Sequence, residues 1–493
     1  MRHLEIERKY LLYPCSLKRF LEEHQIPYRC ILIEQFYLQS TPEGAERYRR
    51  AGDHYIHAVK RGSGVVREER EEEVSREEYL RQKERFGGRL IEKKRYIVQQ
   101  KSYTLELDAF EGSLKGLNFL EVEFAEREEA DSFRLPKPFK KLLVQEVSDL
   151  PDFTNGSLSK TLQIPVISEA LTQILRRVRE QEDFLKASFL IEFHPFERTS
   201  YALKAQIYAM LLSIRANRQA ILSGDRDPER LHQLRVALRK IRALLSEMKA
   251  FFDRRWQRAH RERLAELMRL TGPKRDLDVY LMQIDSYERL VQQRYREGLE
   301  RLRDFLQQQE SELQEQLEKA LRSEAMEEEI EELLRFCLDP ETGVSPQASR
   351  PVILSLKEVL FDRYRSILEK GAKLRLDSEP EVYHLLRIQA KKLRYTLEFA
   401  ASILEPKAYG KMLERLKAIQ TILGEHQDLE VQRAHLRDLS RQMAEEGIVG
   451  LEAIHALRKE MKKLIGEKRK AFRKEFKHFR KSEKLFRKMI CRY

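Results

Sequence analysis

The sequence predicts an antiparallel β domain followed by an all-α domain, and three observations carry that expectation. Up to about residue 160, short segments alternate apolar and charged side chains with a period of two, many of them punctuated by Gly, Pro or Asp. Beyond about residue 165 the chain turns to long amphipathic stretches rich in Leu, Arg, Glu, Lys and Gln with few glycines, the mark of helices. The helical part also repeats itself. LHQLRVALRKIRALL (231–245) matches YHLLRIQAKKLRYTL (383–397), and TGPKRDLDV (271–279) matches LGEHQDLEV (423–431), at one offset of 152 residues. Such a shared offset predicts two copies of one helical unit, arranged as two pseudo-symmetric bundles.

With 493 residues the chain has room for two or three domains. The stretch SDLPDFTNGSLSKTLQIP (148–165) is dense in turn residues and marks the boundary. The expected division is therefore 1–160 for the β domain, 161–199 for a connecting helix and linker, and 200–493 for the helical domain. A second break, LDPETGVSPQASRP (338–351), splits the helical domain in two. No apolar run approaches the length of a membrane span and the N-terminus enters a strand pattern at once, so neither a membrane nor a secretory signal is expected. Cys15, Cys30, Cys337 and Cys491 form no CxxC and lie far apart, which suits a reducing compartment, and the expected location is the cytoplasm. The net charge of +13 is uneven: residues 1–160 hold 29 basic against 29 acidic residues, so the whole surplus lies beyond them. An anionic partner is expected for the helical part.

Taken in order, the β segments each show one charged face. EIERK (5–9) sets Glu5, Glu7 and Lys9 opposite Ile6. GAERYRR (44–50) alternates Arg47 and Arg49, and IHAVK (56–60) ends on Lys60. VVREEREEEV (65–74) aligns Arg67, Glu69, Glu71 and Glu73, and IEKKRYIV (91–98) aligns Lys93 and Arg95. LELDAF (105–110) carries Glu106 and Asp108, and LEVEF (120–124) carries Glu121 and Glu123. Two architectures satisfy these faces: an open sheet with its charges in water, or a closed antiparallel barrel with a charged lumen. In a lumen, two carboxylates ~5 Å apart at an effective dielectric of ~20 repel by roughly 3 kcal/mol, so cations are required. Hard oxygen donors select Mg²⁺ or Mn²⁺, and the facing arginines and lysines call for an anion such as a phosphate chain.

The ordered set ExExK, RxR, a strand ending in Lys, RxExE, KxR, ExD and ExE resembles the CYTH family, the triphosphate tunnel metalloenzymes, over about residues 1–160. FTNGSLS (153–159) resembles the segment that closes that domain. The resemblance implies a closed eight-stranded antiparallel tunnel that hydrolyses or cyclises triphosphate-bearing substrates with a divalent metal. It assigns Glu5, Glu7, Asp108, Glu121, Glu123, Glu69 and Glu71 to metal, and Lys9, Arg47, Arg49, Lys60, Lys93 and Arg95 to triphosphate. Glu5, Glu7 and Lys9 would also serve the chemistry, Lys9 as a candidate base toward water.

In the helical part, His232, Arg235, Arg239 and Arg242 share one helix face beside an apolar stripe, and His384, Arg387, Lys391 and Arg394 reproduce it. Facing stripes would form a basic channel for a flexible polyanion. They hold few aromatics for base stacking, so a bare phosphate chain fits better than nucleic acid. Asp276 and Asp428 are expected to cap helices or anchor these arginines. The pattern, with DPERL (227–231) before it and RDLDV (275–279) after it, resembles the CHAD domain, named for conserved histidines and α-helices, and implies inorganic polyphosphate binding. Lys391 departs from its repeat partner Arg239. Only His232 and His384 are paired by the repeat, which makes a multi-histidine metal site doubtful.

The expected function is metal-dependent hydrolysis of inorganic triphosphate, or of short polyphosphate ends, with inorganic polyphosphate held by the helical domain and the protein associated with polyphosphate granules. The alternatives are a non-catalytic polyphosphate-binding protein and, ranked lower, a hydrolase or cyclase acting on a nucleoside or thiamine triphosphate.

Overall fold

The alternating segments form strands. The computed structural model describes residues 2–41, 44–61, 66–448 and 451–492, with the backbone alone at 2–5 and 66–69. The strands are β1 (Arg2–Leu12), β2 (Arg29–Thr41), β3 (Gly44–Ala51), β4 (His54–Arg61), β5 (Val66–Glu73), β6 (Ile91–Gln99), β7 (Thr104–Phe110), β8 (Asn118–Phe124) and β9 (Leu143–Glu146). They make one antiparallel sheet in the order β5-β4-β3-β2-β6-β7-β8-β1-β9, with an additional pairing between β5 and β1. β1 is long enough to serve three neighbours: β5 over Arg2–Ile6, β8 over Ile6–Leu12 and β9 over Tyr10–Leu12.

The expected count of eight strands is corrected to nine among the described residues. LVQE (143–146) is too short to display a period, and its place beside β1 is fixed by Arg8, which leaves the charged row for the other face and bonds Glu146 through Nε at 2.8 Å. Gly52, at φ +63°, takes the first place of the two-residue β3–β4 turn, a conformation that favours glycine.

Period-two alternation splits the sheet into two environments. Tyr10, Leu12, Leu105, Leu107, Leu120 and Val122 face a core closed by the Leu17–Glu23 helix and by Phe133 and Phe139. The charged rows point to the other side.

Beyond residue 161 the regular structure of the described residues is helical, apart from isolated bridges. The repeated segments form matching 20-residue helices, Pro228–Glu247 and Pro380–Phe399, both with proline in the first turn, where its missing N–H costs nothing. The next units differ. The first repeat has two helices, Arg254–Leu270 and Gly272–Glu288, whereas the second runs unbroken as Pro406–Glu445. Pro273, which has no N–H and whose ring crowds the preceding turn, stands where the second repeat has Glu425. Phe472, Phe476 and Phe479 of the Leu451–Arg480 helix and Phe486 of the Glu483–Cys491 helix are buried.

One apolar cluster runs through both parts of the chain. Leu11, Phe110, Phe119, Phe153 and Leu158 of the β region join Leu175 and Val178 of the Leu171–Arg179 helix and the interior of the bundle helices. At its edge Lys357 Nζ donates to the Pro14 carbonyl at 2.8 Å, and the Arg492 guanidinium lies 4.1 Å from the Tyr13 ring centre.

Candidate active site and anion groove

The charged rows line a cavity of about 1080 Å³. Strand register explains who meets whom. Lys9 stands directly opposite Glu121 and Glu7 opposite Glu123 across β1 and β8, while Glu106 stands opposite Glu121 across β7 and β8. Arg47, Ala58 and Glu71 form one cross-strand row, and the small Ala58 leaves room for Arg47 to approach Glu71 at 3.4 Å. Arg49 reaches the same carboxylate oxygen at 2.9 Å. Lys60 also lines the cavity.

Charge is balanced most tightly at the inner end. Asp108 has no exposed surface, and its oxygens are taken by Lys93 at 2.5 Å and by Arg95 at 2.7 Å. Arg95 also bonds Glu121 at 2.6 Å and pairs with Glu106. Lys9 lies 3.1 Å from Glu121 and 3.4 Å from Glu7. Burial alone would push the Glu121 carboxyl up, but Lys9, Lys93 and Arg95 outweigh it and hold Glu121 well below the usual carboxylate range. Burial dominates at Glu106, whose carboxyl is pushed up despite Arg95, and at Lys93, whose ammonium is pushed down despite Asp108.

Of the residues expected here, Glu7, Lys9, Arg47, Arg49, Lys60, Glu71, Lys93, Arg95, Glu121 and Glu123 line one cavity. Asp108 lies behind Lys93 and Arg95 and does not line it. The side chains of Glu5 and Glu69 fall outside the described residues. Glu106 was named in its motif but not assigned to the site, although its place two residues before Asp108 puts it on the same face. The Thr154–Ser157 turn also reaches the cavity. There the Asn155–Thr161 helix starts with Thr154 accepting from the Ser157 N–H, and Gly156 lets it press on β2: a Cβ on Gly156 would stand 2.4 Å from Ser40 Oγ.

The donor set suits a hard divalent cation. Glu7 and Glu123 are carboxylates in direct cross-strand opposition, a like-charge pair that a cation between them relieves, and Glu121 is a neighbour on the same face.

In the helical part, the two repeat helices cross where Lys240 meets Glu398 at 2.8 Å and Lys392 meets Ser246 at 2.9 Å. Their basic rows come within mutual electrostatic range. Burial, with Arg239 among its neighbours, pushes down Arg235, to about 10, and Arg242, and pushes down Arg387 against the pull of Asp428. His232 is pushed down by burial and then by Arg275. Asp276 and Asp428 lie inside helices and not at their caps. Asp428 is 3.6 Å from Arg387, whereas Arg235 is tied to the Met268 carbonyl at 2.6 Å and to Thr271 at 2.8 Å. Arg394 pairs with Glu398 at 3.2 Å, and His384 contacts Gln427 at 2.8 Å.

His260 and His426, which the repeat does not pair, are engaged by neighbouring side chains. His426 accepts from Arg469 at 3.1 Å, and burial pushes it down to about 4. His260, Glu329 and Glu332 bring ligand atoms within 4.8 Å of one another, yet Arg263 already engages both carboxylates, 3.4 Å from Glu329. No helix among the described residues is long and apolar enough to cross a membrane.

Comparison with known proteins finds separate relatives for separate parts of the chain. Residues 205–437 match the model of the CHAD domain. The inorganic triphosphatase of Nitrosomonas europaea is 32% identical over 165 residues, which span 33% of this chain and 99% of that protein. An uncharacterized protein of Mycobacterium tuberculosis is 29% identical over 264 residues, 49% of this chain and 45% of that relative, so the chain covers less than half of its length. The crystal structure of the CHAD domain from the plant Ricinus communis shares the fold of the helical part, with a TM-score of 0.51 at 24% identity, over 59% of this chain and 96% of that one.

Proposed function

Because the N-terminal third of this chain belongs to the family of the inorganic triphosphatase and residues 205–437 are a CHAD domain, we propose that the protein hydrolyses inorganic triphosphate, or the ends of short polyphosphate, in the β cavity and holds longer inorganic polyphosphate on its helices. The observation that carries the reading is the juxtaposition in one cavity of Arg47, Arg49, Lys60, Lys93 and Arg95 with Glu7, Glu121 and Glu123. The pairing of β1 with both β5 and β8 supports a sheet that wraps around this cavity as a tunnel.

In this reading the guanidinium and ammonium groups align the phosphate chain and hold its terminal group in place, the positioning on which phosphoryl transfer depends. Glu7, Glu121 and Glu123 would hold Mg²⁺ or Mn²⁺, which supplies charge neutralisation and an acidified water. Lys9, between two carboxylates, suits gripping a phosphate oxygen better than taking a proton from water. Asp108 keeps Lys93 and Arg95 aimed, and metal binding by Asp108 would require displacing both.

The test is phosphate release by the full chain from triphosphate, ATP and thiamine triphosphate, with Mg²⁺, with Mn²⁺ and after chelation. Triphosphate should be cleaved fastest and only with metal. Silence on all three, or full activity in E7A/E121A, sinks the proposal. Retention of long-chain polyphosphate at salt that strips duplex DNA tests the helical half.

A further inference from the structure

The 152-residue repeat also relates two cavities in the helical part, and the two have diverged. At the crossing where Lys240 meets Glu398, Ile207, Met210, Phe399 and Phe189 close in on a space of about 30 Å³. At the other crossing, where Lys392 meets Ser246, the positions of Ile207, Met210 and Phe399 are taken by Val359, Asp362 and Glu247, and about 410 Å³ stays open. Two apolar side chains of one half are thus acids in the other. The Glu247 side chain is 2% exposed and is held by Arg363 Nε at 2.6 Å and by Lys392 at 3.0 Å. Arg363 itself stands where the first repeat has Leu211. A buried ion cluster adds no more stability than well-packed apolar residues of similar volume. The sealed twin shows that this fold accepts such residues at these positions, so stability does not account for the charged version.

Glu247 fixes Arg363 and Lys392 at the pocket wall, as Asp108 fixes Lys93 and Arg95 beside the β cavity. Lys249 and Arg261 line the exposed rim and engage no carboxylate among the described residues. Four basic side chains therefore meet two acids, and Glu247 is already shared by two of the four. We propose that this pocket binds a terminal phosphate group, either of free inorganic phosphate or pyrophosphate or of the end of a phosphate chain. Lys249, Arg261 and the remaining N–H of Lys392 donate to its oxygens, charge-assisted bonds that water would otherwise satisfy. Asp362, the second acid, accepts a P–O–H proton, which sulfate lacks at neutral pH. The pocket shares no residue with the β cavity or with the two basic rows, so it stands or falls apart from the functional reading above.

The experiment is isothermal titration of pyrophosphate, inorganic phosphate and sulfate into the full chain and into two variants. Ser246→Glu installs the residue of the other repeat and sets a carboxylate beside Lys392, while Lys249→Ala/Arg261→Ala removes two exposed cations. The wild type should show one pyrophosphate-binding event that both variants lose or weaken at least about 10-fold, with their ligand-free thermal midpoints unchanged. Sulfate should fill the same site at least about 10-fold more weakly than phosphate. Long-chain polyphosphate separates the two sources: competition for this event assigns the site to a chain end, and its absence assigns the site to the free anion. If Ser246→Glu fails to fold, the double variant decides alone. Equal stoichiometry and affinity for pyrophosphate in the wild type and the double variant overturn the proposal, as does sulfate binding as tightly as phosphate.

Discussion

Arg95 grips Asp108 with two hydrogen bonds of 2.7 Å, Nε to Oδ1 and Nη2 to Oδ2, on a carboxylate with no exposed surface. Lys93 completes the cluster, so Asp108 is the acid that both buried cations share. Removing one partner of such a group leaves uncompensated charge and costs about 3–5 kcal/mol. Asp108→Ala should therefore lower the urea midpoint by that equivalent. An unchanged midpoint would show that the cations find other partners.

Glu121 touches Lys9 and Arg95 and faces the cavity, so Glu121→Gln preserves shape while removing a charge that three cations hold ionised. The expected outcome is a fall in kcat of about 100-fold with KM unchanged or lowered, because the triphosphate gains two freer cations. Thermal unfolding measured beside the kinetics separates this from misfolding. A raised KM with kcat intact would place Glu121 outside the chemistry.

His57 lies on the outer side of β4, with Nδ1 2.9 Å from Glu72 and Nε2 2.9 Å from Glu46. A ring that serves two carboxylates must donate from both nitrogens, and these two partners overcome burial to raise its pKa, while His57 holds Glu72 below its ordinary value. A raised folded-state pKa means that the stabilisation is complete below the unfolded value of about 6.5 and is lost as pH rises through the folded one. Stability of the wild type relative to His57→Gln should shrink across that interval. Parallel pH–stability curves would refute the bridge.

Gly156 tests how the closing helix seats on the sheet. A methyl there meets Ser40 Oγ at 2.4 Å, so Gly156→Ala should destabilise by about 1–3 kcal/mol and disturb the Thr154–Ser157 edge of the cavity. Adding Ser40→Gly should return part of the loss. Additive effects of the two changes would mean that the contact is not the cause.

Much of this was visible in the sequence because strand alternation is a geometric code. Once Glu7, Lys9, Arg47, Arg49, Lys93, Arg95, Glu121 and Glu123 fall on alternate positions, their common face needs no further information. Depth along that face is not encoded in alternation. Asp108 obeys the same period as Glu106, yet it is covered by Lys93 and Arg95 while Glu106 lines the cavity, a difference set by the cross-strand neighbours each strand meets. The 152-residue offset located both basic helices, but the fusion of two helices into one in the second repeat hinged on Pro273 against Glu425, a single substitution inside matched text. β9 escaped because four residues cannot display a period.

The apolar cluster that joins Leu11, Phe110, Phe119, Phe153 and Leu158 to the bundle has a practical consequence for dissecting this protein. A chain cut after residue 160 would expose to water one side of an interior and not a natural surface. The β part should then be poorly soluble or partly molten, and the full chain should melt in a single cooperative transition, not in two steps. Loss of activity on truncation would thus report a lost scaffold before it reported a lost polyphosphate tether. The contributions of the two halves are better separated by point changes in the intact chain.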